Sequence, residues 1–380
     1  MIYFDNAATT RFKPRAAINA LLKEVKRSSN SCRSGHDDAV RCALKNEECR
    51  RYLLKAFGAE DDYYLIFTKN CTEALNLAIF GYLNGKEDAT VITSAIEHNS
   101  VLRPLFKLKK DGKIKLRVIN PVDNGAVSVK HIANAADGAE LVALNLMSNV
   151  TGAINDVAEI AKYLDKKKTI FLVDGAQGIP LYDINMKEMK IDMLPMPGHK
   201  GLHGVQGTGF LIFRRDLELA PLLYGGTGTS SDSVYQPHAA PEAYEAGTVF
   251  SAGFHALYEG AKWSFDNKAQ NRARIAALTK LFLYNLGYLG AKCYAKNPHG
   301  GIVSFSFEGI DPSDLADILN RNYGIAVRSG LHCAPLIHNH MGTLESGLVR
   351  VSFGVDNTEK EVAILTEALE KTVYKTGLKK

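Results

Sequence analysis

Residues 195–210 read PMPGHKGLHGVQGTGF, with one lysine, Lys200, set between His199 and glycines at 198, 201, 204, 207 and 209. Glycine at this density marks a backbone that turns sharply or approaches another group closely. The lysine is either a solvated charge or a chemical handle, since a buried lysine with a lowered pKa forms Schiff bases with carbonyls. The second candidate is Asp174 in FLVDGAQ, at the C-terminal end of an apolar run that reads as a buried strand. Ligands of open α/β sheets bind at that edge. An acid there could hold a metal, a ribose or a protonated ring nitrogen. Asp174 followed 26 positions later by Lys200 matches pyridoxal phosphate, where an acid partners the pyridinium nitrogen and a lysine the aldehyde. A Walker A reading of the loop fails, because Gly201 stands where a Ser or Thr is required.

Two further segments carry potential chemistry. In FTKNCTEALNLA a strand ends at Thr68 and a helix opens at Cys71–Thr72. Free amides at a helix N-terminus bind phosphate, and the same residue types also serve as plain N-caps. RSGLHCAP holds Cys333, which is one of six scattered cysteines with Cys32, Cys42, Cys49, Cys71 and Cys293. With no CxxC pair and no leader pattern, reduced thiols are expected rather than a disulfide framework. HCAPLIHNH contains His332, Cys333, His338 and His340, a density able to bind zinc, but no second cluster accompanies it and no metal is expected.

The elements that must position these groups alternate. Helical periodicity covers 16–28 and 37–58, and another helix follows at 71–83. Apolar strands fall at 63–68, 90–95, 116–119, within 139–148, at 169–177 and at 207–214. Such alternation predicts a mostly parallel sheet with helices on both faces. From Trp263 the texture changes to one long helical region, then a βαββα pattern that predicts a smaller α+β domain. LKKDGKIKLR (108–117) reads as the solvated face of a hairpin. The chain has 380 residues, which suggests two domains; it is 46% hydrophobic and 23% charged with net charge +5. No apolar run reaches transmembrane length, and MIYFDNAATT has an acid at position 5 and lacks a signal pattern. The expectation is a cytoplasmic enzyme without nucleic-acid or membrane partners.

Read in order, YFDNAATT, NSCRSGH, FTKNCTEALNLA, IEHNSVLRPL, MSNVTGAIN, VDGAQ, GHKGLHGVQGTG, YEAGT, RSGLHCAP and VRVSFGVDNTEKEV resemble the class V aminotransferase family across the whole chain. Within it the resemblance is to the cysteine desulfurases and selenocysteine lyases of the sulfur-mobilisation type. The resemblance implies fold type I of the pyridoxal-phosphate-dependent transferases. It implies a seven-stranded, mostly parallel sheet in a large domain (15–255), and a small α+β domain formed by 1–14 and 256–380. Lys200 would carry the cofactor and shuttle a proton, Asp174 would hold the ring nitrogen, and His98 would stack on the ring. Gln177 would bond the phenolic oxygen, with Asn149 near it and the substrate carboxylate. Cys71, Thr72 and His199 would hold the phosphate, and Thr248 would reach the phosphate of the partner subunit in a homodimer. Arg350 would clamp the α-carboxylate of L-cysteine, Arg328 would position the cysteine loop or line the pocket entrance, and Cys333 would take the sulfur as a persulfide for an acceptor protein. Alternatives are a selenocysteine lyase, or an aminotransferase or epimerase acting on another amino acid. The chain departs from the family at Pro197, where a phosphate-binding Ser or Thr is usual, at Cys71, and in detail over 228–248.

Overall fold

A computed structural model describes residues 1–31, 34–167, 169–229, 231–297 and 299–375; Cys32 and part of the NSCRSGH segment lie outside them. A short first strand, β1 (Ile2–Tyr3), precedes seven strands that form one sheet: β2 (Tyr63–Thr68), β3 (Ala89–Ser94), β4 (Ile114–Ile119), β5 (Leu141–Asn145), β6 (Ile170–Asp174), β7 (Met193–Pro197) and β8 (Gly209–Arg214). Their order is β2-β8-β7-β6-β5-β3-β4, and only β8 runs antiparallel to its neighbours. Every residue of β5 and β6 is buried, as expected where helices cover both faces. Successive side chains serve opposite cores. Phe171 and Val173 pack with the helices Asp37–Ala56, Val157–Lys167 and Ser251–Asp266. Leu172 packs with the helices Cys71–Leu83 and Asn99–Lys110.

β7 has no counterpart among the strands read from the sequence. Its residues, MLPMP, contain two prolines, which argue against a central strand. The structure accommodates both on one edge. The Pro195 carbonyl accepts from the Gly175 amide, so the N–H groups missing at 195 and 197 face β6. The β6–β7 pairing accordingly shrinks to Leu172↔Met193, while β7 pairs with β8 along its full length.

The remaining strands are β9 (Lys292–Cys293), β10 (Ile302–Ser306), β11 (Ile325–Ala326), β12 (Arg328–Gly330) and β13 (Leu348–Ser352). An antiparallel sheet β12-β13-β10-β9 packs under the helices Lys268–Tyr288, Pro312–Tyr323 and Glu359–Lys375, while β11 pairs with β1. Three local expectations change. IAVRSG divides into two strands belonging to two sheets. The long helical region breaks at Asn267 into Ser251–Asp266 and Lys268–Tyr288. LKKDGKIKLR is no hairpin, but the end of the helix Asn99–Lys110 followed by the edge strand β4. Position 256 lies inside the helix Ser251–Asp266, which packs on the helices Arg15–Lys26 and Asp37–Ala56.

Two glycines after β7 are there for close approach. A Cβ on Gly201 would collide with the Ile179 carbonyl, and one on Gly209 would lie 2.5 Å from the carbonyl carbon of Asn70. Gly201→Ala is expected to destabilise the fold by about 2–3 kcal/mol, by forcing the loop off Ile179. Chemical denaturation followed by circular dichroism measures it.

Candidate active site

The loops that follow β2, β3, β5, β6 and β7 converge on one cavity of about 230 Å³ at the C-terminal edge of the large sheet. It is lined by Cys71, Thr72, His98, Asn149, Asp174, Gln177, Pro197, His199, Lys200, Arg328 and Arg350. All the site residues expected from the sequence lie there except Cys333, which adjoins it through Arg328, and Thr248. Thr248 is exposed and does not line the cavity of its own chain.

Asp174 ends β6 and is 3% exposed. Its Oδ1 accepts from the Ala176 amide at 2.9 Å and from the Cys71 thiol at 3.7 Å. Burial raises its pKa, partly offset by the Ala176 amide and by Lys200. Desolvation pulls the Lys200 amine below its ordinary range, against the attraction of Asp174 and with Arg350 and Arg328 adding to the shift. The amine is thereby moved toward its neutral form, the form able to accept a proton.

Asn70 caps the helix Cys71–Leu83: its side chain takes the Glu73 amide and its carbonyl the Ala74 amide. The amides of Cys71 and Thr72 have no protein acceptor among the described residues, and the Thr72 hydroxyl meets that of Ser100 at 2.9 Å. His98 caps the helix Asn99–Lys110 through Nδ1, which accepts from the Ser100 amide at 3.1 Å. Burial, with Lys200, Arg328 and Arg350 nearby, lowers its pKa to about 4. His199 reaches about 4 by burial, with Lys200 and Lys13 contributing, and its Nδ1 meets the Thr9 hydroxyl at 3.0 Å. The Gln177 side chain donates to the Ala7 carbonyl at 2.8 Å.

Arg350 lies on β13, 1% exposed. Its Nη1 donates to the Asn149 carbonyl at 3.0 Å and its Nη2 to Asp5 Oδ1 at 2.8 Å. Asp5 was visible in the sequence only as an acid near the N-terminus. No spacing rule joins it to a residue 345 positions away. Asn149 also donates to the His332 carbonyl at 2.7 Å, while its own Oδ1 is buried without a partner among the described residues.

Cys333 follows β12 in a turn in which His332 and Cys333 both have positive φ, 51° and 59°. Non-glycine residues adopt this conformation only where their surroundings hold them. Here the Asn99 amide donates to the Cys333 carbonyl at 2.7 Å, and Asn149 holds the preceding carbonyl. The Cys333 sulfur accepts from Arg328 Nη2 at 3.3 Å. His332 is turned inward, stacks on His338 and is held neutral by burial, with a pKa of about 2. His340 is exposed and stands apart from that pair, and no group of three or more metal-binding side chains forms among the described residues. A larger cleft lies at the opposite end of the strands. Its charged walls satisfy one another through Lys187–Asp62 and Arg214–Asp192.

This sheet order, with a reactive cavity at its C-terminal edge, is fold type I of the pyridoxal-phosphate-dependent transferases. The apo cysteine desulfurase from Thermococcus onnurineus superposes with a TM-score of 0.91 at 32% identity, covering 98% of this chain and 95% of that one. The cysteine desulfurase CsdA from Escherichia coli superposes at 0.87 with 27% identity, covering 98% and 94%. A protein named probable cysteine desulfurase from Methanothermobacter thermautotrophicus is 34% identical, over 97% of this chain and 94% of its own length. Residues 2–365 match the aminotransferase class-V family, and the chain belongs to it.

The cap at His98 gives a test separable from catalysis. His98→Ala is expected to lower stability by about 1 kcal/mol, and His98→Asn to restore most of it. Because folding depresses the His98 pKa, this contribution is present above about pH 6.5 and lost as pH falls through about 4. Thermal unfolding of the three proteins across that range measures the difference.

Proposed function

We propose that this chain is a pyridoxal-phosphate-dependent cysteine desulfurase that converts L-cysteine to L-alanine and keeps the sulfur on Cys333. The observation that carries the reading is the Arg328 guanidinium, which lines the cavity of Lys200 and Asp174 and also donates to the Cys333 sulfur. The residues fit the cofactor. Two unpaired amides and the Thr72 hydroxyl offer a phosphate site at a helix N-terminus. Asp174 stands ready for a ring nitrogen, and the unpaired Oδ1 of Asn149 is a buried acceptor beside them. Pro197 lines the same cavity without a hydroxyl, so phosphate binding rests on Cys71, Thr72 and His199.

Pyridoxal phosphate, when bound, supplies an aldehyde for an amine and an electron sink beside the substrate α-carbon. Lys200 would hold that aldehyde and, as a neutral amine, would move the α-proton. Asp174 would keep the ring nitrogen charged, and His98 would cover the ring face. Arg350 binds the α-carboxylate. The Cys333 thiolate attacks the substrate sulfur: an S–S bond forms, the substrate Cβ–S bond breaks, and alanine leaves. Cysteine and thiol become alanine and persulfide, so atoms and electrons balance without an external oxidant. An acceptor protein then takes the outer sulfur.

A homodimer is part of the proposal. Ile18, Leu22 and Val25 on one helix and Val40 and Leu44 on the next leave an exposed apolar stripe, and Leu223, Tyr224, Val234 and Tyr235 are exposed too. Apolar surface of this extent marks an interface, and pairing would bring Thr248 toward the partner's cavity. We also propose a large lobe from residue 15 to the end of the helix Ser251–Asp266, a small one formed by 1–14 and the residues beyond Asn267, and a cytoplasmic location. No helix among the described residues is long and apolar enough to cross a membrane.

Lys200→Ala is expected to abolish the visible absorbance of covalently held cofactor. Cys333→Ala should retain that absorbance and its change on adding L-cysteine, yet lose sulfide and alanine release by at least about a hundredfold. Unchanged sulfide release in Cys333→Ala would refute the persulfide route. Running cysteine and selenocysteine side by side separates the desulfurase from a selenocysteine lyase.

A further inference from the structure

The turn that carries Cys333 is one that its own residues do little to favour. The Ala334 amide closes it on the Leu331 carbonyl at 2.9 Å, with φ of 51° at His332 and 59° at Cys333. Turns with positive φ at both central residues are ordinarily made with Gly, Asn or Asp. Asn149 and the Asn99 amide hold the carbonyls of residues 332 and 333 and so tie down the peptide groups. The remaining hold is the side chain of His332, which is 2% exposed.

Against it lies His338, fully buried on the helix Pro335–Met341. The two imidazoles stack with centroids 5.8 Å apart and planes inclined by 29°. Each ring is anchored through one nitrogen: His338 Nδ1 meets the Thr343 hydroxyl at 2.9 Å, and His332 Nε2 lies 3.4 Å from the Arg328 carbonyl. The other two nitrogens, His338 Nε2 and His332 Nδ1, are buried without a partner among the described residues. What the rings offer each other is therefore their faces, at a separation usual for packed aromatic rings. Burial lowers both pKa values, so two neutral rings meet there rather than two cations. The helix that carries His338 is firmly seated. Ala334 and Ile337 pack with Ile96 and Val150, which stand close in sequence to His98 and Asn149. We propose that His338 is a positioning residue for the reacting sulfur: its ring backs that of His332 and so keeps Cys333 turned toward Arg328. The proposal rests on the reading of Cys333 as the residue that takes the sulfur.

The test compares two substitutions in holoenzyme that divide the functions of the ring. His338→Phe keeps a flat face against His332 and gives up the bond to Thr343. His338→Asn can keep that bond and gives up the face. Two quantities are read after L-cysteine is added. The change in cofactor absorbance reports binding, and persulfide on Cys333 is trapped by alkylation and measured by mass spectrometry of its peptide. His338→Asn is expected to slow persulfide formation about tenfold or more, because a small misplacement of a reacting group is costly. Its absorbance change, and the dependence of that change on L-cysteine concentration, should match wild type. His338→Phe is expected to form persulfide at close to the wild-type rate. A role confined to stability would move both readouts together and would follow the Thr343 bond instead. His332→Asn, which suits a left-handed backbone but brings no ring, is expected to be slow in the same selective way, and it decides the matter if His338→Asn does not fold. A wild-type persulfide rate in His338→Asn or His332→Asn, a His338→Phe as slow as His338→Asn, or parallel loss of the absorbance change would each overturn the role of His338. If wild-type holoenzyme places no persulfide on Cys333, the desulfurase reading itself fails.

Discussion

The two ends of the chain meet at the ion pair between Asp5 and Arg350, and the site depends on that closure. The segment following Asp5 continues the tie on both sides of the cavity. Asn6 donates to the Ser352 carbonyl on the small sheet, while Ala7 accepts from Gln177 on the loop after β6. The Thr10 hydroxyl donates to the His199 and Lys200 carbonyls, and Lys13 donates to the His199 carbonyl at 2.8 Å. A short N-terminal segment thus fixes the arginine of one sheet and the lysine loop of the other in a common frame. An enclosed cation left without its acid would be costly, so the pair also constrains where the N-terminus lies.

Within that frame the chemistry follows from desolvation. A parallel sheet covered on both faces places its strand ends in a cavity with little water, and the consequences are opposite for acids and bases. Asp174 rises and Lys200 falls, each moved toward neutrality, while their mutual attraction opposes both shifts. His98 and His199 stay uncharged, so they remain hydrogen-bond acceptors at neutral pH. The cysteine turn is held by different means. Backbone carbonyls at 332 and 333 are tied to Asn149 and to the amide of Asn99, which adjoins His98. His98, proposed to cover the cofactor ring, and Cys333, proposed to carry sulfur, are therefore tied together through Asn99.

Much of this arrangement was legible before the fold was known. Asp174 at the end of an apolar run, and Lys200 in a loop too rich in glycine to be ordinary, follow from residue type and strand direction. The order of motifs identified the family. β7 was not legible, because Pro195 and Pro197 violate the local rule for a central strand and are tolerated only because both face one edge. The hairpin expected at 108–117 was a confusion of helix end with edge strand, since both present lysines to solvent. IAVRSG could not be divided by pattern alone, because its two halves join different sheets.

The sequence by itself determined which residues can react and which strands are buried on both faces, since side-chain chemistry and hydrophobic pattern are properties of the local chain. Only the tertiary structure decided that Asp5 completes Arg350, that the Cys71 thiol donates to Asp174, and that His332 turns inward while Cys333 meets Arg328. Those are contacts between segments far apart in sequence or conformations held by such contacts. Their geometry is set by packing between elements distant in the chain, which no local pattern encodes.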